Sequence, residues 1–410
     1  MNYKMRSKKL VSNVNLKFNI QYSVIGIILF LFLNVKSQSS IERVLSDISN
    51  NNEAILANKQ FWEAKKLHNK TGIFLDNPTV EYDYLSGSPA GAGNQQEFSI
   101  MQSFDFPTVY RKKSELATEQ SAQAELELIA NRQNILLQVK INCIELIYYK
   151  KLHKYLMQQL HNTEKLLGNF KIKLEKGDGT ILDVNKVTIQ LIEIKKKVKE
   201  NEFVIERLKT NLTSYNGGVP VSFEDTSYFE PPAMPLFVEL EREYELADPL
   251  RKILEQDKSI AQHQIKLSKA LSLPKFELGY HYQGILGQTY NGIHTGISIP
   301  LWENKNTVKA MRANLVYSEL KIKEHRTQHY FEIKGMYDKC ISLMAIIQDY
   351  KSVLDEFSHI VLLDKALELG QITTIDYFTE INYYVKVYDS FYLTEKEYFT
   401  TVAELFKYLL

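Results

Sequence analysis

Along residues 98–113, FSIMQSFDFPTVYRKK, apolar and polar positions first alternate and then cease to. Phe98, Ile100, Phe104 and Phe106 stand against Ser99, Met101, Ser103 and Asp105. This period of two is that of a strand with one apolar and one polar face. Pro107 ends the run, because it has no N–H to give a sheet ladder, and it suits the first turn of a helix. The 70 residues from Pro107 to Gly177 then carry a helical pattern, so a strand feeds directly into a very long helix. The junction returns as Thr295–Lys305, TGISIPLWENK, with Pro300 in the place of Pro107.

The rest of the pattern also occurs twice. Pro107 and Pro300 lie 193 residues apart; each is followed 70 residues later by a glycine, Gly177 or Gly370, and then by Asp183 or Asp376. Upstream, Asn77–Tyr82 matches Leu273–Leu278 and Asn52–Ile55 matches Asp248–Arg251, both at an offset of 196. The slip falls between strands, where loop length varies freely. These landmarks predict a duplicated unit, residues 38–218 and 245–410, joined by a Pro- and Phe-rich segment 219–244.

Each unit carries a predicted hairpin. Val80–Leu85 alternates Val80, Tyr82 and Tyr84 against Glu81 and Asp83, and 86–94, SGSPAGAGN, is a small-residue loop before the Phe98–Phe106 strand. The second unit has Phe276, Leu278, Tyr280 and Tyr282 against Glu277, Gly279, His281 and Gln283, a loop at Gly284–Gly292, and a return strand carrying Ile297, Ile299 and Leu301. An aromatic face (Tyr82, Tyr84, Phe98, Phe104, Tyr280, Tyr282) opposite a polar one (Glu81, Asp83, Ser99, Asp105, Glu277, His281) is the pattern of lipid-facing barrel strands. The alternative is an antiparallel sheet in a soluble α+β domain. Four strands cannot close a barrel, for which about eight is the practical minimum. Strands facing lipid must then be pooled by several chains, since an open edge cannot sit in hydrocarbon.

The helices set the scale. Seventy residues at 1.5 Å each span roughly 105 Å. Leu137, Ile141, Ile144, Tyr148, Leu152 and Tyr155 alternate spacings of three and four, as do Val184, Val187, Leu191, Ile194 and Val198, and Ile381, Tyr384, Tyr388 and Phe391. This is coiled-coil patterning. Helices joined at Gly177 and at Gly370 must be antiparallel, so Gly177–Asp183 and Gly370–Asp376 are tips. Residues 41–76 with 181–215, and 245–272 with 373–409, are each long enough to stack end to end beside a long helix.

The N-terminus differs from the rest. Residues 1–20 carry Lys4, Arg6, Lys8, Lys9 and Lys17 without an acid, followed by the apolar run Val24–Val35 and small or compact residues before a cleavage position after Ser37. The run is short for a membrane span, which needs about 20 residues, so residues 1–37 are expected to be a secretory signal peptide rather than an uncleaved anchor. Removing their six positive charges takes the formal net charge from +1 to about −5, which gives no case for nucleic acid. Cys143 and Cys340 sit at non-equivalent helical positions and are expected to be buried free thiols, although an export compartment permits a disulfide.

Signal peptide, duplicated helix–hairpin–long helix–tip–helix order, NPTVEYDY, QSFDFPTVYRKKSELA, SLPKFELGYHY, GISIPLWENK and the two G-x5-D tips together resemble the TolC family of outer-membrane efflux proteins across essentially the whole mature chain. The resemblance implies a mainly α chain with membrane β, contributing four transmembrane strands to a trimeric twelve-stranded barrel. It implies a passive homotrimeric duct in the outer membrane of a Gram-negative bacterium, extending into the periplasm. An inner-membrane pump, of the RND type, would deliver substrate through a periplasmic adaptor. QSFDFP followed by Arg111–Lys112–Lys113 looks most like the heavy-metal cation efflux branch. The other readings are a multidrug or type I secretion duct, or a soluble periplasmic coiled-coil adaptor.

No motif predicts catalysis or a cofactor: there is no G-x-S-x-G, P-loop, dinucleotide fingerprint or Cys/His metal spacing. His325 and His329 lie at i, i+4 and could share a metal, but the expectation is two exposed or inter-helix histidines, with Arg326 opposing a cation. The expected sites are the tips, Gly177, Asp178, Asp183, Gly370 and Asp376, as adaptor dock and aperture. Asp183 and Asp376 have two readings, helix-start acids or a carboxylate ring that favours cations. Pro107 and Pro300 mark the strand-to-helix junctions, and Tyr82, Tyr84, Phe98, Phe104, Tyr280 and Tyr282 are expected to face lipid.

Overall fold

The computed structural model describes residues 40–356 and 359–410; the segment read as a signal peptide lies outside the described residues. The first half runs α1 (Ser40–Asn51), α2 (Glu53–Asn69), β1 (Thr79–Leu85), β2 (Gln95–Phe104), α3 (Pro107–Glu175) and α4 (Ile181–Tyr215). The second runs α5 (Phe237–Ala247), α6 (Pro249–Ala270), β3 (Lys275–Ile285), β4 (Gln288–Ser298), α7 (Thr307–Glu356), α8 (His359–Glu368) and α9 (Thr374–Leu405).

α3 is one helix of 69 residues with Pro107 at its first turn. α1, α2 and α4 all pack along it. α1 meets it through Ile41, Val44, Leu45 and Ile48 against Leu136, Val139, Cys143 and Leu146, in a core that Ile205, Leu208 and Leu212 of α4 also enter. The sequence reads 41–71 as one helix. Instead Asn52 breaks it: its side chain accepts the Ile55 N–H at 3.0 Å and donates to the Tyr215 carbonyl at 2.7 Å, while Asn51 donates to Asn216 at 3.1 Å. The break leaves α1 beside the last turns of α4 and α2 running on past its end, both along α3. Asp248 does the same in the second half, accepting from Leu250 and Arg251 N–H at 3.0 and 3.1 Å. The helix expected from 245 therefore starts earlier, at Phe237, and breaks before Pro249.

The four strands form one antiparallel sheet in the order β1-β2-β3-β4. Its register aligns Val80, Ile100, Tyr280 and Ile293 across one face, and Glu81, Ser99, His281 and Gly292 across the other. Two details depart from the sequence reading. β4 begins at Gln288, because Leu286 and Gly287 both take positive φ and close a two-residue turn; the rest of the loop expected at Gly284–Gly292 is strand. β4 also ends at Ser298, so Ile299 and Leu301 lie beyond it. Pro300 stands at the junction but does not start α7. A turned segment intervenes, including Asn306 at φ +67°, before Thr307.

Cys143 and Cys340 are both buried and free. Each lies in the central core of its own half, Cys340 among Leu240, Tyr244, Ile333, Leu343 and Val402. The halves join across α3 and α9, where Lys151 meets Glu395 at 2.7 Å and Tyr148 donates to Asp389 at 2.9 Å.

Asn52→Ala removes a helix cap and the bond that holds α2 to the end of α4. It should destabilise the chain by about 1–2 kcal/mol, read as a lower denaturant midpoint of the helical circular dichroism signal. Asn50→Ala, which loses only a bond to Ser46 within its own helix, should change the midpoint little.

Candidate functional site: the helical tips and the polar face of the sheet

The two tips have the same construction. α3 ends on Lys176, and Gly177 follows at φ +80°, with Gly177 N–H donating to the Leu174 carbonyl at 3.1 Å and Asp178 N–H to Lys173 at 2.9 Å. α8 ends in the same way at Gly370, φ +69°, with bonds to Leu367 at 3.1 Å and from Gln371 to Ala366 at 2.8 Å. This is the Schellman arrangement, which places glycine in the left-handed region and satisfies the last carbonyls of a helix. Neither glycine is crowded, so the requirement there is conformational rather than steric.

Three residues on, a threonine starts the returning helix. Thr180 accepts the Asp183 N–H at 3.2 Å and donates its hydroxyl to the Asp183 carboxylate at 2.6 Å. Thr373 and Asp376 form the full reciprocal box, with bonds of 3.1, 2.7 and 3.2 Å. Asp183 and Asp376 are therefore capping acids, the first of their two readings, and G-x2-T-x2-D was the signal in the sequence for it. Asp178 is exposed and adds no cap. Beside the caps, Leu182 and Ile375 are 65% and 57% exposed at matching positions. Sequence reasoning passed over these two apolar side chains.

The hairpins lie side by side. Phe170, Val184 and Val187 pack with Leu367, Tyr377 and Ile381, and Gln190 donates to Asn382 at 3.3 Å. Burial and a bond to Asp364 push the Tyr377 phenol up. At Asp376 the Thr373 hydroxyl, followed by the Thr373 N–H, holds the carboxyl below the usual carboxylate range.

At the other end, the polar face of the sheet gathers Glu81, Asp83, Glu97, Ser99, Met101, His281 and His294 around one recess. Glu97 and His294 were not singled out in the sequence. The basic side chain of the strands, Lys275, lies at the base and is paired with Glu303 at 3.2 Å. Tyr82, Tyr84 and Tyr280 of the opposite face are exposed by 62%, 52% and 43%, while Phe98, Phe104 and Tyr282 are half-buried. Phe104 stacks on Phe276 at 5.8 Å.

His325 and His329 are inter-helix histidines, the second of the two placements expected for them. They meet Asp248 at the α5–α6 break, with His325 Nε2 at 2.9 Å from its carboxylate. Burial holds His329 below the usual histidine range.

Because the folded Asp376 carboxyl titrates below its unfolded value, its contribution to the tip is present above the ordinary carboxylate range. It is lost as pH falls through the folded value. Asp376→Ala should therefore speed local amide exchange at residues 373–378 at neutral pH, after correction for intrinsic rates, and the difference from wild type should shrink below about pH 3.8.

No family model matches the chain, and no curated protein does. Solved structures do. The outer membrane protein VceC from Vibrio cholerae is 14% identical with a TM-score of 0.74, covering 90% of this chain and 95% of its own. A membrane protein from Pseudomonas aeruginosa is 12% identical with a TM-score of 0.76, covering 91% and 94%. CusC, described in terms of its folding and transmembrane channel formation, is 11% identical with a TM-score of 0.68, covering 91% and 92%. The chain thus has the TolC-type fold of outer-membrane channels, with long paired helices carrying a four-stranded sheet.

Proposed function

We propose that the chain is the exit duct of a tripartite efflux system in the outer membrane of a Gram-negative bacterium. Three copies would pool their sheets into a twelve-stranded barrel and their helices into a periplasmic tunnel. The observation that carries this is the sheet. Its apolar face is exposed, and its outer strands β1 and β4 each have one edge unpaired within the chain. The exposed apolar face does not suit water, the open edges do not suit lipid, and a closed barrel in lipid accommodates both. Among the described residues no helix is long and apolar enough to cross a membrane, so the strands are the membrane-facing element in this reading. Two helical hairpins and a shared sheet also fit a duct better than a soluble adaptor.

The two halves, 38–218 and 245–410 joined by 219–244, then give each protomer two equivalent tips, and a trimer six. Gly177, Asp178, Asp183, Gly370 and Asp376, with Leu182 and Ile375 beside them, form the dock for a coiled-coil adaptor that links the duct to an inner-membrane pump. The capping carboxylates would line the narrow end as well as start their helices. The chain is no more similar to CusC than to VceC, so the heavy-metal cargo rests on the QSFDFP–RKK resemblance alone.

Tyr82→Lys should sharply reduce folded protein in the outer-membrane fraction, because a Lys facing lipid near mid-bilayer costs about 2–4 kcal/mol. Ser103→Lys, on the polar face, should be tolerated. Equal damage from both, or a wild-type chain found free in the periplasm, contradicts the reading.

The tips are tested separately. Gly370→Val forces a β-branched residue into a left-handed conformation, at about 1–3 kcal/mol. It should abolish crosslinking to the adaptor while heat-resistant barrel assembly persists. Undiminished crosslinking would remove the tips from the dock.

A further inference from the structure

We propose that Asp248, His325 and His329 form a binding site for a single divalent transition-metal ion of the zinc class, which staples the α5–α6 break to the long helix α7. His325 and His329 are one helical turn apart on α7, so their rings share a face, with centroids 4.9 Å apart. Both direct Nε2 at the same oxygen of Asp248, at 2.9 and 3.8 Å. All three donor atoms lie within 4.8 Å of one another. Ligands of one tetrahedral ion with bonds near 2.0 Å sit about 3.3 Å apart, so small side-chain adjustments close the set. Two imidazoles and a carboxylate suit zinc and its first-row neighbours, with water as the fourth ligand.

A hydrogen-bonded contact explains only part of this. His325 reaches Asp248, but His329 Nε2 stands too far from it for a hydrogen bond. An ion between the three would engage both rings. The side chains are only 17%, 14% and 10% exposed, in a site more enclosed than surface histidines have. A recess of about 80 Å³ opens onto the two histidines, lined also by Glu241, Glu245 and Glu255 and by Arg251 and Arg326. That is room for an ion and water.

The two nearby arginines are already engaged. Arg326 lies 3.5 Å from Glu245 with its side chain 74% exposed, and Arg251 donates to the Glu245 carbonyl at 2.8 Å. The Glu245 carboxylate beside Arg326 offsets part of the opposition to a cation that its place in the sequence suggests.

The first half of the chain shows what an ordinary joint contains. At the same offsets, Asn52 replaces Asp248, Arg132 and Leu136 replace the two histidines, and Ile48 replaces Tyr244. There Ile48 and Leu136 share an apolar core and Arg132 bonds to Ser49 at 3.0 Å. In the second half Tyr244 instead packs edge-on against His329 at 4.8 Å. Apolar packing at one joint is replaced at the other by a convergent donor set.

The test uses the full chain, purified in detergent with an affinity tag free of histidine and stripped with a chelator. Zn²⁺ alone is titrated against a chromophoric competitor, and thermal melting is followed by circular dichroism. Wild type should bind one Zn²⁺ per chain and melt higher with it. His325→Gln/His329→Gln should lose both effects. Asp248→Asn, which remains a good helix cap, should keep the fold and weaken binding. No binding by wild type, or binding unchanged in the double variant, would show that the cluster is only a hydrogen-bonded cap contact.

Discussion

The structure depends on a four-stranded sheet whose outer strands each keep one edge unpaired within the chain. Backbone N–H and C=O groups on the free edges of β1 and β4 need partners, and the row Val80, Ile100, Tyr280 and Ile293 needs an apolar surrounding. Water supplies the first and not the second; lipid supplies the second and not the first. Pooling strands from several chains inside a membrane, as proposed, would supply both. The helices inherit this arrangement: β2 enters α3 across only two residues, so the direction of the sheet sets the direction of a helix about 100 Å long.

The two halves share one construction beneath the sheet. Each half lays short helices end to end along one long helix, with an Asn or Asp cap at the joint. The central cores, around Cys143 in one half and Cys340 in the other, lie beside these joints. Equal distances from strand to tip then bring Gly177 and Gly370 to the same level, where Phe170, Val187, Leu367 and Tyr377 pack the two hairpins together.

Much of this was legible in the sequence because periodicity reports burial directly. The alternation of 98–106, the spacing of α3 and α4, and the glycines of the tips all led to the elements found. The misses have physical reasons. Helices stacked end to end continue one apolar stripe, so the pattern runs through the breaks at Asn52 and Asp248, and only capping chemistry marks them. Glycine suggested a loop at 284–292, but Gly292 lies opposite His281 within the sheet. Gly279 likewise leaves space for Met101, whose Sδ would stand 2.2 Å from an added Cβ. Pro300 shares the spacing of Pro107 without its helix start, since proline at a strand end permits a helix but does not nucleate one. At the candidate site, the histidine pair was visible as i, i+4. Its partner Asp248 lies 77 residues away, and only the fold brings it in.

In the proposed assembly, three such sheets close together as one barrel. The mass of the detergent-solubilised particle, measured with detergent contribution matched out by sedimentation or native mass spectrometry, tests it most directly. The account predicts one species of three chains, close to three times the mass of the mature polypeptide. A stable, folded single chain, with its strands intact and no higher species, would contradict it.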